Sequence, residues 1–231
     1  DAEFRDRRPV VIDTGENERD YKWLIEGETF RIGGSPSSKG GVVSLEYEKM
    51  SKWRGSHESG EFHSAAHRLE VMDAEDTLIS VNYPTLLLQW PIAKDPKLNQ
   101  ALTRSYNNWV ADISSQAPDR LKWVTVICPS DPEEAAREMI RTKKMGSVGV
   151  MVLGEYNEKG LDHPDFEIVW QTANDIGMPV NVHPGTGALK AWEEYPSVAA
   201  DQFLMSVVRG FKTVCSSGIL DRYPNVKVSF L

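Results

Sequence analysis

The sequence predicts an α/β protein built on a parallel sheet, and three observations carry that prediction. From residue 77 onward, apolar β-branched runs alternate with capped amphipathic segments, the pattern of strands buried on both faces and joined by helical crossovers. An open doubly wound sheet and a closed eight-stranded barrel both satisfy it. No G-x-G-x-x-G follows any of the runs, which removes the main positive sign of an open dinucleotide-binding sheet. Special residues gather where the runs end, in Tyr83-Pro84-Thr85, Cys128-Pro129-Ser130 and His183-Pro184-Gly185, and a (β/α)8 TIM barrel places its active site at that end of its strands.

The strand-like runs are Thr77–Tyr83, Leu121–Cys128, Ser147–Leu153, Pro179–His183 and Val226–Leu231. Asp95-Pro96 opens a helix carrying Leu98, Leu102, Tyr106, Trp109 and Ile113 on one side. In the next helix Asp131 is the N-cap, Pro132 the first helical residue and Glu134 the capping-box partner; Lys143 and Lys144 suit the C-terminal dipole and Gly146 ends it. Phe166, Val169, Trp170, Ala173 and Ile176 recur at helical spacing before Gly177 and Pro179. A later helix places Cys215 with Leu204, Val208 and Phe211, an arrangement expected in the core. Five strand and helix units at about 30 residues each fall short of the roughly 250 residues of a full barrel. The chain is therefore expected to be a piece of a longer protein, with three strands missing.

The first 75 residues have a different character, rich in glycine, serine and alternating charge. Val10–Thr14, Tyr21–Ile25 and Thr29–Ile32 predict short strands, with Glu26-Gly27 as a hairpin turn. The loop Gly33–Gly41 is not a phosphate loop, because Lys39 is followed by Gly40 rather than Ser or Thr and no apolar strand leads into it.

Composition narrows the function classes. A net charge of −8 argues against nucleic acid or an anionic membrane as partner. No run of 18 or more apolar residues suggests a membrane-spanning helix. The two cysteines, Cys128 and Cys215, and the lack of any Asn-x-Ser/Thr acceptor fit free thiols in a reducing cytoplasm. A small-molecule substrate is the expected partner.

His183 is the first candidate for chemistry. It closes an apolar strand before Pro184-Gly185, and an imidazole held at a rigid strand end suits metal ligation; the competing reading is a buried histidine satisfied by a carbonyl. His57, His63 and His67 form a second cluster, with His63 and His67 at i and i+4, although their polar flanks read as a solvated surface. Cys128 ends a strand and is a candidate nucleophile or simply a small buried residue. Glu155 follows a strand end and is a candidate to meet a substrate or metal; the competing reading is a solvated acidic loop residue. Trp90, in the loop after Tyr83-Pro84-Thr85, is a candidate pocket wall, lid or core plug.

The segment Tyr83-Pro84-Thr85, the pair Tyr106-Asn107 with Trp109, and the stretches PDRLKWVTVICPSDPEEAARE, LDHPDFEIVWQTANDIGMPVNVHPG and FKTVCSSGILDRYPNVKVSFL together resemble the amidohydrolase family that contains aminocarboxymuconate-semialdehyde decarboxylase and related aromatic-acid decarboxylases. The similarity runs from about Ala65 to Leu231, and the opening DAEFRDRRPVV resembles an insertion that follows the first strand in a subgroup of that family. The resemblance implies an incomplete (β/α)8 TIM barrel of the metal-dependent hydrolase type with strands two to six present. It implies a divalent metal ion, zinc in the first place, with His183 as a ligand; the first-strand ligand motif and the late aspartate have no counterpart in this chain. The catalytic residue is expected just beyond Leu231. Residues 1–64 are read as the insertion, residues 65–231 as the partial barrel domain, and the assembly as a homodimer.

The resulting expectation is a metal-dependent decarboxylase or hydrolase of a small, aromatic carboxylate, with Tyr83, Trp90 and Glu155 facing the substrate. This chain alone is expected to be inactive, since one inherited ligand is too few for a catalytic metal site. A non-catalytic barrel that binds a small molecule or a partner chain is the alternative.

Overall fold

The computed structural model describes residues 2–13, 21–31, 64–84, 87, 93–157, 159–185 and 199–231. After a 3-10 turn at Ala2–Arg7, β1 (Val10–Asp13), β2 (Tyr21–Ile25) and β3 (Glu28–Arg31) form a three-stranded antiparallel sheet. Its hairpin turns at Glu26-Gly27 with φ of 51° and 81°, the two positive angles that let a two-residue turn match the strand twist.

The barrel portion then follows as α1 (Ala65–Ala74), β4 (Ser80–Asn82), α2 (Pro96–Ser114), β5 (Leu121–Val126), α3 (Pro132–Lys144) and β6 (Gly149–Leu153). A short antiparallel hairpin, β7 (Glu155–Tyr156) and β8 (Lys159–Gly160), precedes α4 (Glu167–Ile176) and β9 (Val180–His183). The last elements are α5 (Ala199–Ser216), α6 (Ile219–Arg222) and β10 (Val228–Phe230). No helix among the described residues is long and apolar enough to cross a membrane.

The large sheet has the order β10-β9-β6-β5-β4, with every pairing parallel. Spatial order follows chain order without reversal. Since parallel crossovers share one hand, such a progression puts its helices on one face and makes a barrel wall, whereas a doubly wound sheet reverses. All five residues of β6 are buried, which explains why it reads GVMVL rather than alternating.

Local chemistry sets the helix ends as anticipated. Asp95 accepts from the Lys97 amide at 2.9 Å and Asp131 from the Glu134 amide at 3.0 Å, each ahead of a first-turn proline. The Glu134 carboxylate points elsewhere, to Arg104 at 2.5 Å and Arg137 at 2.8 Å, because two guanidiniums offer stronger charge-assisted bonds than a helix-terminal amide. Gly177 ends α4 in the left-handed region, with φ of 59°. Among the α2 residues expected on the apolar side, Trp109 stays 45% exposed.

Polar groups bind α2 and α3 to the sheet. Asn107 is fully buried; its amide nitrogen donates to the Val126 carbonyl and to Glu138, both at 2.8 Å, and its oxygen accepts from the Val126 amide at 3.0 Å. Burial pushes the Glu138 carboxyl upward, but bonds from Arg141 and Asn107 outweigh it and hold the group below the usual carboxylate range. Thr125 is likewise bonded to Thr142 at 2.6 Å and Ser147 at 2.8 Å.

Helix α5 departs from the expectation. Leu204, Val208 and Phe211 are 62%, 46% and 53% exposed, and Cys215 is exposed rather than in the core. The face turned to the sheet carries Ser206, Val207, Gly210 and Val214. Small residues win that side because they permit backbone contact. A Cβ on Gly154 would lie 1.6 Å from the Ser206 carbonyl oxygen, and one on Gly210 would lie 2.7 Å from a Val182 methyl. The Gly154 amide also donates to the Ser206 hydroxyl at 3.1 Å.

In urea unfolding, Gly154→Ala should cost about 3 kcal/mol or more, because backbone must move to admit the methyl. Gly177→Ala, at φ of 59° but with open space around it, should cost only about 1 kcal/mol. Equal losses for the two variants would contradict the close approach of α5.

Candidate active site at the strand ends

Strand β9 delivers His183 to the C-terminal edge of the sheet, beside Leu153 of β6 and next to Leu231, whose amide donates to the Val182 carbonyl at 3.1 Å. Tyr83, one residue past β4, lies across from it. Two strands separate β4 from β9, so on a flat sheet their ends would stand about 14 Å apart. The Tyr83 and His183 rings nevertheless have centroids 5.6 Å apart and tilted by 39°. The two side chains meet over the concave side of a curved wall. Beneath them, Leu87, Val124, Val126 and Met151 form a buried apolar cluster on which Tyr83 packs.

The His183 ring is half-buried, and its Nδ1 lies 2.7 Å from the Pro184 carbonyl oxygen. A carbonyl only accepts, so Nδ1 carries the proton and Nε2 keeps a free lone pair. Burial lowers the imidazole pKa, opposed by the Pro184 bond; the neutral, ligand-competent form prevails at pH 7. Burial raises the Tyr83 phenol, which therefore stays a hydrogen-bond donor. Among the described residues no group of three or more His, Cys, Asp or Glu side chains converges on a metal position. These residues fit a divalent ion as the source of one nitrogen ligand, not as a whole centre.

The other sequence candidates fall in different places. Glu155 is 5% exposed and its carboxylate pairs with Arg209 of α5 at 2.8 Å. Cys128 is buried beside the Ser130 hydroxyl at 3.0 Å, and burial pushes its thiol pKa up, which disfavours the nucleophilic thiolate. His67 lies on α1, its amide donating to the N-cap hydroxyl of Ser64 at 3.2 Å and its ring 3.5 Å from Glu70. Trp90, His57 and His63 lie outside the described residues.

One polar group near the site was missed. Asn181, two residues before His183 and so on the same side of β9, donates to the Val150 carbonyl at 3.2 Å and accepts from Ser229 at 2.6 Å. Gly149 makes room for it, since a Cβ there would lie 2.4 Å from the Asn181 amide nitrogen. The signal was available as a lone amide inside the apolar strand Val180-Asn181-Val182.

A family model described as amidohydrolase matches residues 85–230. The chain belongs to the amidohydrolase family. Curated relatives to which the chain is similar include gamma-resorcylate decarboxylase of Polaromonas sp., 27% identical over 70% of this chain and 53% of its own length, and 2-amino-3-carboxymuconate-6-semialdehyde decarboxylase of Dictyostelium discoideum, 23% identical over 71% and 46%. The chain thus spans about half the length of the curated relatives it matches. Among solved structures, an amidohydrolase from Mycobacterium avium subsp. paratuberculosis is 17% identical with a TM-score of 0.74, covering 100% of this chain and 66% of that one. A 5-carboxyvanillate decarboxylase from Novosphingobium aromaticivorans with bound manganese is 23% identical with a TM-score of 0.59, covering 71% of this chain and 48% of that one. At such identities the structures speak to the fold, which is that of an incomplete α/β TIM barrel.

In metal-free protein of this amidohydrolase, 15N-detected NMR near pH 7.5 should show the His183 imidazole neutral with its proton on Nδ1. A proton on Nε2 would mean that Pro184 does not fix the ring and that the lone pair faces the wrong way.

Proposed function

We propose that this chain is part of a metal-dependent carboxy-lyase acting on a small aromatic carboxylate. The observation that carries the reading is the neutral His183 imidazole facing Tyr83 over an apolar floor, at the strand ends where a barrel does its chemistry; the decarboxylase relatives favour that reaction over hydrolysis. His183 Nε2 is proposed as a ligand of a divalent ion, zinc by assignment, which when bound polarises substrate oxygen as a Lewis acid. Tyr83 is proposed to lie against the substrate ring and to donate its phenolic hydrogen. The floor of Leu87, Val124, Val126 and Met151 keeps water from the carboxylate. With the ring carbon that bears it protonated first, the C–C bond breaks, its electron pair restores the ring, and the carboxylate leaves as neutral CO2, a dispersal of charge that a dry setting favours. Trp90 and Glu155 complete the proposed substrate-facing set, Glu155 with its charge already balanced by Arg209. The catalytic acid or base is assigned beyond Leu231, so the chain by itself is proposed to be inactive. A homodimer completes the proposed reading; a cytoplasmic location is supported by the free cysteines, and a net charge of −8 supports a partner other than nucleic acid.

In the whole protein, His183→Ala should remove bound metal and lower CO2 release from hydroxylated benzoates by at least about 100-fold, given that even groups behind metal ligands cost 10- to 100-fold. Unchanged metal content, measured by elemental analysis, together with an unchanged rate would sink the assignment.

Residues 1–64 are proposed to be an insertion that caps the mouth of the domain formed by residues 65–231. The support is where the hairpin docks. Glu26 accepts from the Lys94 and Asp95 amides at 2.7 and 3.1 Å and pairs with Arg7, which also bonds Asp95 at 2.8 Å. This places the β2-β3 turn on the N-terminus of α2, directly after the loop that leaves Tyr83. The Asp95 amide and Arg7 lower the Glu26 pKa, while Arg7 and the Lys97 amide lower that of Asp95. Their contribution is present above the usual carboxylate range, near 4, and is lost as pH falls through the lowered folded values. Limited proteolysis should therefore cut the hairpin faster in Glu26→Gln at pH 7, and faster in the wild type once pH drops below about 4. Identical cleavage of the variant and wild type at pH 7 would remove the latch.

A further inference from the structure

Val180 and Val182 of β9 pack with Val169, Ala173 and Val214 of the covering helices, and Val228 and Phe230 of β10 join the same cluster. Asn181 and Ser229 lie on the other side, the side of His183, and stand opposite each other in the parallel register. Asn181 is buried; its oxygen accepts from the Ser229 hydroxyl at 2.6 Å, and its nitrogen donates to the Val150 carbonyl at 3.2 Å, in the space that Gly149 leaves open. One amide therefore engages three neighbouring strands. The apolar residues alone do not fix how those strands slide. Val226, Val228 and Phe230 would still offer an apolar side to the helices after a slip of two residues. The amide separates these alternatives. A two-residue slip of β10 would bring Lys227 or Leu231 opposite Asn181, burying an exposed ammonium in one case and leaving the amide oxygen unpaired in the other. Sliding β9 two residues toward the C-terminal end of β6 would set the amide against Met151 in place of Gly149. A buried asparagine fixes register in coiled coils for the same reason.

We propose that Asn181 is a positioning residue, which by pairing with Ser229 beside Gly149 sets the alignment of β6, β9 and β10 and so the height of the strand ends at the mouth. The native alignment puts Leu153 beside His183 and bonds the Leu231 amide to the Val182 carbonyl at 3.1 Å. It thereby fixes where the His183 imidazole stands relative to the group that follows Leu231. This role rests on the proposed function, in which His183 is a metal ligand and the catalytic acid or base is assigned beyond Leu231.

The test compares crystal structures and steady-state kinetics of the whole, metal-loaded protein with three variants: Ser229→Ala, which removes the partner hydroxyl, Ser229→Thr, which keeps it, and Val228→Ala, which thins the apolar side without touching the pair. In Ser229→Ala the end of β10 should shift along β9 and the Leu231–Val182 bond should be lost. Its kcat for CO2 release from hydroxylated benzoates should fall roughly tenfold to a hundredfold with KM little changed, the cost of misplacing a reacting group by about 1 Å. Ser229→Thr should restore both the bond and kcat. Val228→Ala should melt at a lower temperature than the wild type and keep its kcat, which separates positioning from stability. A β10 that superimposes on the wild type in Ser229→Ala, with the Leu231–Val182 bond intact, would overturn the proposal, as would a fall in kcat no larger than that of Val228→Ala. A wild type that releases no CO2 would sink the proposed function instead, and the strand positions in the crystal structures would then decide the alignment by themselves. If Ser229→Ala fails to fold, Ser229→Cys, a weaker donor of similar size, is read in the same way.

Discussion

The strand end that carries His183 depends on a backbone contact. Helix α5 sits so close to the end of β6 that only hydrogen fits at Gly154, and its own Gly210 meets Val182, the residue immediately before His183. That approach needs no large side chain and tolerates none. It fixes β6 and β9 against one helix, and the Glu155–Arg209 pair closes the same contact from the strand side. The imidazole is then oriented locally, by its Nδ1 bond to the carbonyl of the next residue, Pro184.

Elsewhere the sheet is secured by buried polar groups acting on backbone. Asn107 answers both the amide and the carbonyl of Val126, and Asn181 reaches the Val150 carbonyl. Parallel strands leave their ends without hairpin partners, so side chains that satisfy strand-end backbone take the place that tight turns have in antiparallel sheets. The outcome is a rigid floor of Val124, Val126 and Met151 below Tyr83 and His183, and rigidity there is what a binding mouth requires.

Much of this architecture was legible in the chain. The five strand runs, the Asp-Pro helix starts at Asp95 and Asp131, the Gly177 stop and the Glu26-Gly27 turn each rest on local rules: β-branched burial, side-chain capping and permitted positive φ. His183 was legible as a strand-end histidine. What escaped were contacts between distant segments. Glu155 reads as a free acidic loop residue until Arg209 arrives from α5, and Leu204, Val208 and Phe211 read as a core stripe because spacing cannot say which of two helix faces meets the sheet. Asn107 carried no local sign of its role beyond its place next to Tyr106 in an amphipathic helix.

The sequence by itself determined the class, the order of elements, the strand ends that carry polar residues and, through its motifs, the amidohydrolase family. Periodicity and capping act within a few residues, and these features need nothing more. Only the tertiary structure decided that Tyr83 and His183 share one face across two intervening strands, that the small side of α5 packs inward, and that the hairpin at Glu26 docks on α2. Each of these depends on curvature and on which surfaces approach closely enough to exclude water, quantities set by the packing of residues far apart in the chain.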